Sequence, residues 1–208
     1  MIEAVPDTIS LDSLKRADPH YTTLRDFYAR HWGGGSQNSP GFRKARDAFL
    51  TSLAGYSIIC YLLNIKDRHN ANILIDRMGR VLHIDFGFLL SNSPGGNMNF
   101  ENAPFKLTND FIDLLGGTTS TEFEQFRRAC AMAFIAARQR YGKIMLMVEV
   151  MLDGNEDLPC FRAGKVQVMR ELRERFALGE DHRDLITYVN DLIDASANSW
   201  RTGCYDAF

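Results

Sequence analysis

A mainly α-helical domain carrying one small β-hairpin is the fold this chain predicts, on two observations. Apolar residues recur at helical spacing along most of its length, and one pair of short β-branched runs brackets a turn near the middle. With 45% hydrophobic and 24% charged residues, 208 positions suffice for a single domain with a substantial core.

The first clear stripe is Leu24, Phe27, Tyr28 and Trp32, at i, i+3, i+4 and i+8. Gly33-Gly34-Gly35-Ser36-Gln37-Asn38-Ser39-Pro40-Gly41 follows, a surface connection expected to have no fixed structure of its own. It is no phosphate loop, because no strand precedes its glycines and no Lys-Ser/Thr follows them. Phe49, Leu53, Tyr56, Cys60 and Leu63 form a second stripe leading up to the polar run at 66–72. Asn72–Ile75 and Val81–Ile84 then read as strands around Asp76-Arg77-Met78-Gly79. That hairpin would bring Asn72 and Asp85 to the same end. Downstream, Thr121 and Glu124 have capping-box spacing ahead of Phe126, Cys130, Phe134, Ala137 and Tyr141. Ile144, Val148, Met151 and Leu152 mark a further helix stopped by Gly154; Met169, Leu172 and Phe176 another; Leu185, Tyr188, Val189, Leu192 and Ile193 the last. The methionines are expected to fill the core. Arg170, Arg173 and Arg175, interleaved with Glu171 and Glu174, are expected to form solvated ion pairs rather than a phosphate site.

Several function classes are disfavoured by composition. Cys60, Cys130, Cys160 and Cys204 lie far apart with no C-x-x-C pair, so neither a zinc site nor a disulfide framework is suggested. Buried free thiols in a reducing, cytoplasmic compartment are the expectation. A net charge of −2 gives no reason to expect a nucleic-acid partner or bulk adhesion to an anionic membrane. The apolar runs at 56–63 and 144–148 fall well short of the roughly 18 residues that span a bilayer. Membrane contact would therefore be peripheral.

The chemistry is concentrated in Lys66-Asp67-Arg68-His69-Asn70-Ala71-Asn72 and, thirteen residues after Asn72, Asp85-Phe86-Gly87. Phosphoryl transfer needs a group that orients or deprotonates the attacking hydroxyl, and oxygen ligands for the magnesium that neutralises the triphosphate. Asp67 suits the first need, Asn72 and Asp85 the second. Asp67 and Asn72 have the separation of base and metal-binding amide in the protein-kinase pattern H-R-D-x-x-x-x-N. His69 competes with Asp67 for the role of base, since an imidazole pKa of about 6.5 suits proton transfer near neutrality.

The inverted order Asp67-Arg68-His69 resembles the phosphatidylinositol 3- and 4-kinase superfamily, whose catalytic loop reads D-R-H-x-x-N. Within it the chain is most similar to the type III phosphatidylinositol 4-kinases, the beta form more than the alpha. The matching residues are Ile65–Leu74, His83–Phe88, Ala103–Thr108, Leu114–Gly117 and Leu158–Phe161, with similarity nearly end to end. Phe88 is telling, because 3-kinases usually place His there. The resemblance implies the C-lobe of a protein-kinase-like fold with the N-lobe absent. Residues 1–208 would be a catalytic-domain fragment beginning at the hinge: catalytic loop 66–74, activation loop 85–108, C-terminal helices 109–208. The fragment's own N-lobe becomes an implied partner.

From the resemblance, the backbone of Glu3 and Val5 would meet the adenine edge, with Leu74 and Ile84 as an apolar floor beneath the ring. ATP and Mg2+ are the implied cofactors, Mn2+ being an alternative cation, with Asn72 and Asp85 as metal ligands. Asn70 would hold the loop, His83 would be a satisfied hydrogen-bonding residue, and Lys66 a solvated lysine at the loop edge. The implied reaction is transfer of the ATP γ-phosphate to the 4-hydroxyl of phosphatidylinositol at a membrane surface, Golgi-type by resemblance alone. A phosphatidylinositol 3-kinase, a related protein Ser/Thr kinase, or a non-catalytic interaction domain stand as alternatives; the last would be expected to have lost Asp67, Asn72 or Asp85. Regulatory partners are not legible. Independently of family, not one Lys or Arg lies between Asp85 and Phe105, so the loop facing the acceptor offers no cation to an additional headgroup phosphate. Met98 and Phe100 on that loop either dip into lipid or pack back onto the lobe. Isolated residues 1–208 are predicted to bind nucleotide weakly and transfer phosphate poorly or not at all; robust transfer by such a preparation would contradict this.

Overall fold

Helix α3 (Pro40–Leu62) is the spine of the computed structural model, which describes residues 4–94 and 103–197. Pro40 opens its first turn and Ser39 caps it, the Oγ accepting from the Phe42 N–H at 3.1 Å. Its buried face, including Phe42, Phe49, Leu53 and Ile58, packs on α2 (Leu24–Gly33) and on α5 (Thr121–Gln139). Helix α4 (Asn109–Leu114) leans on α2, α8 (His182–Ala197) on α5, and α6 (Tyr141–Leu152) on α7 (Lys165–Glu174). Fully buried Tyr28, Phe49, Phe111, Phe123, Phe126 and Phe134 fill the space between these helices, the large apolar burial that dominates core energetics.

Three antiparallel strands, β1 (Thr8–Ser10), β2 (Ile73–Asp76) and β3 (Val81–His83), form a sheet in that order. Ile73 stands opposite His83 and Leu74 opposite Leu82. Alternation sends Ile73, Ile75, Val81 and His83 into the core, while Leu74, Leu82 and Ile84 stay half-buried on the other face. The helices fix the hairpin from beneath. Tyr28 Oη donates to Gly79 O at 2.8 Å, Trp32 Nε1 to Arg77 O at 3.0 Å, and the Val81 N–H to Ser52 Oγ at 2.9 Å.

The mainly helical fold and its hairpin agree with expectation, with local differences. Strand β1 and helix α1 (Leu11–Ala17) were not foreseen, because three residues show no alternation and α1 buries only Leu11 and Leu14. The segment 33–41, expected to lack structure, is built of caps and turns: Gly34 is left-handed at φ 58°, the Gly35 N–H bonds Ala29 O at 2.9 Å, and Gln37 Oε1 accepts from Arg25 Nε at 2.8 Å. Helix α5 is capped by Ser120, one residue before the expected Thr121, with its Oγ accepting from the Phe123 N–H at 3.0 Å. Asn72 belongs to a 3₁₀ turn rather than to the strand. The methionines of α6 are not all core filler: Met147 and Met151 are exposed beside Leu146 and Val150. The arginine–glutamate interleaving gives one solvated pair as expected, Arg170 with Glu174 at 4.0 Å, but Arg175 with Glu171 at 3.7 Å is half-buried, because Arg175 lies on the inner side of the helix end.

Gly79 has φ +81°, and a Cβ there would sit 3.0 Å from the Ala45 side chain and 3.1 Å from the Tyr28 ring. Gly79→Ala is therefore expected to lower the urea unfolding midpoint more than Gly34→Ala, where φ is also positive but the space is open. Equal losses would show that packing at the hairpin turn is not tight.

Candidate active site

The polar loop begins where α3 stops. Asn64, at φ 49°, turns the chain, and the Ile65 N–H returns to Cys60 O at 2.8 Å. The segment after Asp85 is then laced to the segment before Asp67. The Lys66 N–H donates to Phe88 O at 2.9 Å, the Leu90 N–H to Leu63 O at 2.8 Å, and Asn64 Nδ2 to Leu90 O at 2.7 Å. A 3₁₀ turn, Asn70–Asn72, closes the loop, and the Ile84 N–H donates to Asn72 O at 3.1 Å. Asn72 thus lies level with the residue that precedes Asp85. Its side-chain Nδ2 donates to Asp67 O at 2.9 Å, which commits the amide nitrogen and leaves Oδ1 as the group it can offer a cation.

Asp67 and Asp85 both adopt left-handed backbone conformations, at φ 63° and 56°. Such residues cost about 1–3 kcal/mol each and persist only where their surroundings over-determine them. Asp67 is held through its carbonyl by Asn72; Asp85 has its carbonyl bonded by Arg68, and its Oδ1 lies 3.4 Å from the Gly87 N–H. His69 Nε2 is 3.8 Å from Asp67 Oδ2, so the two candidate bases are neighbours. Asn70, nearly buried, accepts a hydrogen bond from Lys106 Nζ at 3.2 Å, and Lys106 is itself buried. Lys66 is not the solvated lysine expected: it is half-buried and its Nζ donates to Ala103 O at 3.2 Å. Residues 85–94 and 103–106 are therefore both tied to the rest of the domain, since Ser91 Oγ also donates to Cys160 O at 2.7 Å. Arg68 and Lys106 are cations inside the matching motifs to which the sequence alone assigns no role.

His83 faces the core, stacked on Tyr56 at 4.5 Å, with Nδ1 3.4 Å from Cys60 Sγ. Its Nε2 is buried with no protein partner among the described residues, so the expectation of a satisfied histidine holds at one nitrogen only. Burial, aided by the positive charges of Arg68 and Lys106, pushes its pKa down to about 3. It stays neutral at physiological pH.

Of the residues expected to floor the adenine, Leu74 and Ile84 share with Leu82 the half-buried face of the hairpin. Val5 precedes β1 and its carbonyl accepts from Thr8 Oγ1 at 3.0 Å. Glu3 lies outside the described residues, as do Met98, Phe100 and Cys204. Among the described residues no group of three His, Cys, Asp or Glu is placed to hold a metal ion. The oxygens available, Asn72 Oδ1 and the exposed Asp85 carboxylate, are hard donors in the small number Mg2+ takes when water and phosphates complete its shell. The donor set fits that ion. No helix among the described residues is long and apolar enough to cross a membrane.

The sequence profile of the family described as phosphatidylinositol 3- and 4-kinase matches residues 2–162. The chain belongs to that family. A phosphatidylinositol 4-kinase of Dictyostelium discoideum is 44% identical over 208 residues, covering 100% of this chain and 17% of the relative. Phosphatidylinositol 4-kinase beta 1 of Arabidopsis thaliana is 42% identical over all of this chain and 18% of its own length. Phosphatidylinositol 4-kinase beta of Rattus norvegicus is 38% identical, again over the whole chain and 24% of the relative. The chain thus spans about a fifth of the length of these relatives.

The buried histidine of this family member has a pH signature. An unfolded histidine takes up its proton below about 6.5, whereas folded His83 resists until about 3, so the unfolded chain binds one more proton in between. The stability His83 confers is present above about pH 6.5 and is lost progressively as pH falls toward 3. His83→Phe, which retains a ring for Tyr56, is expected to flatten the acid limb of the unfolding free energy from urea titrations against pH, by up to about 1.4 kcal/mol per pH unit. An unchanged slope between pH 6 and 4 would mean that His83 protonates freely in the folded chain.

Proposed function

We propose that this chain carries the phosphoryl-transfer centre of a lipid kinase that moves the ATP γ-phosphate to the 4-hydroxyl of phosphatidylinositol, giving phosphatidylinositol 4-phosphate. The observation that carries this reading is the pair of bonds from Asn72 Nδ2 to Asp67 O and from the Ile84 N–H to Asn72 O, which join base loop and metal-binding strand. Asp85 and Asn72 are the residues that would hold Mg2+, which when bound supplies charge neutralisation at the triphosphate. Asp67 or His69 orients the inositol hydroxyl and takes its proton. Leu74 and Ile84 present an apolar surface to the adenine ring, with the backbone at Glu3 and Val5 along its edge. Catalysis of this kind rests on positioning and electrostatics rather than covalent chemistry.

Choice of lipid is supported by two separate facts. The relatives are named phosphatidylinositol 4-kinases, and the chain from Phe86 to Pro104 contains no Lys or Arg. A headgroup with an additional phosphate would find no charge-assisted partner on that segment. Phosphatidylinositol itself is the matching acceptor, met by a cytoplasmic protein at a membrane surface.

The direct test incubates the longest natural chain carrying these residues with labelled ATP and phosphatidylinositol vesicles, then separates positional isomers of the product. Phosphatidylinositol 4-phosphate is expected; a 3-phosphate, or phosphorylated peptide without lipid product, would overturn the assignment. In the same assay Asp67→Asn and His69→Gln identify the base, whose loss is expected to lower kcat by about 10²–10⁴-fold with little change in KM for ATP. Wild-type kcat in both variants would remove general base catalysis from the mechanism.

A further inference from the structure

Arg68 is 2% exposed and among the largest fully buried side chains. Charged groups are rarely buried this deeply unless their donors are matched. Its guanidinium reaches main-chain oxygens on two separate segments. Nε donates to Lys66 O at 3.0 Å within the loop at 66–72; Nη1 donates to Ile84 O at 2.7 Å and Nη2 to Asp85 O, on the segment that follows β3. The half-exposed Phe86 ring lies over the guanidinium at 5.5 Å. The two carbonyls it grips there flank the φ rotation that puts Asp85 into its left-handed conformation.

We propose that Arg68 is a positioning residue for the divalent cation: by holding the carbonyls of Ile84 and Asp85 against the loop that carries Asp67, it keeps the Asp85 backbone in its strained form and its carboxylate in register with Asn72. The proposal rests on the reading that Asp85 and Asn72 bind the cation that accompanies ATP, and is independent of which hydroxyl is phosphorylated. A planar fork with donors along two edges serves carbonyls on both segments at once; a lysine ammonium on its flexible stem cannot reproduce that geometry. Anchoring through main-chain oxygens also fixes Asp85 without requiring its carboxylate.

The test compares Arg68→Lys and Arg68→Gln with Leu53→Ala, a buried core variant on α3 outside both motifs, in the longest natural chain carrying these residues. Mn2+ binding in the presence of ADP is read by electron paramagnetic resonance, and amide exchange is followed over residues 83–90. Both Arg68 variants are expected to raise the Mn2+ dissociation constant by about 10–100-fold, the usual range for residues that orient a metal ligand. Exchange at 84–87 is expected to speed up, with Leu53→Ala leaving Mn2+ affinity unchanged. Wild-type Mn2+ affinity in Arg68→Lys, or an equal loss in Leu53→Ala, would overturn the assignment. Asp85→Asn separates the two layers: if it weakens Mn2+ binding while the Arg68 variants do not, only the positioning role fails; if it leaves Mn2+ binding intact, the cation site itself fails and the clamp with it.

Discussion

The antiparallel register of β2 and β3 is the constraint on which the site depends. Ile73 opposite His83 is the last paired step of the ladder, and the Ile84 N–H to Asn72 O bond continues it by one rung. With that register, two oxygen-bearing side chains separated by thirteen residues emerge at one end of a hairpin. A slip of one residue would exchange the faces of the strand, turning His83 out of the core and burying Leu82. Core packing under the sheet therefore selects the same register that the proposed site requires. Tyr28, Trp32 and Ser52 reinforce that choice from the helices, each hydrogen-bonding the turn or β3.

Around that end of the hairpin the backbone is held in unfavourable conformations. Asn64, Asp67, Asp85 and Leu90 all have positive φ without being glycine. Each is tied to a neighbouring segment: Asn64 Nδ2 to Leu90 O, Asn72 Nδ2 to Asp67 O, Arg68 to Asp85 O, and the Leu90 N–H to Leu63 O. The strain is thus distributed over a small lattice of side-chain-to-backbone bonds rather than borne by one residue. Loop and hairpin end are thereby cross-tied, which suits the positioning role proposed for the site. The buried Lys106 extends the lattice to residues 105–107 through Asn70.

Long helices were legible in the sequence because their apolar stripes run for several turns, as in α2, α3, α5 and α8. Strand β1 was not, since its pairing with β2 comes from tertiary context rather than from any pattern in Thr8-Ile9-Ser10. Helix α6 is apolar on nearly every side, so periodicity could not tell that Leu146, Met147, Val150 and Met151 face outward while Val148 and Leu152 face the core. At the candidate site, Asp67, Asn72 and Asp85 stood out by spacing, and the hairpin and loop bonds tie together the backbone segments that carry them. Arg68 and Lys106 did not stand out. Their described acceptors are backbone carbonyls and an amide oxygen, which leave no charge pattern in the sequence.

The most direct test of the shared site is a double-mutant cycle on Asn72→Ala and Asp85→Asn in the longest natural chain, reading Mg2+-dependent ADP affinity by calorimetry. Two residues serving one nucleotide–cation assembly should couple, so the double variant is expected to lose less affinity than the two single losses combined, by more than about 0.5 kcal/mol. Strictly additive losses, or ADP affinity that ignores both substitutions, would contradict the convergence of loop and strand on one site.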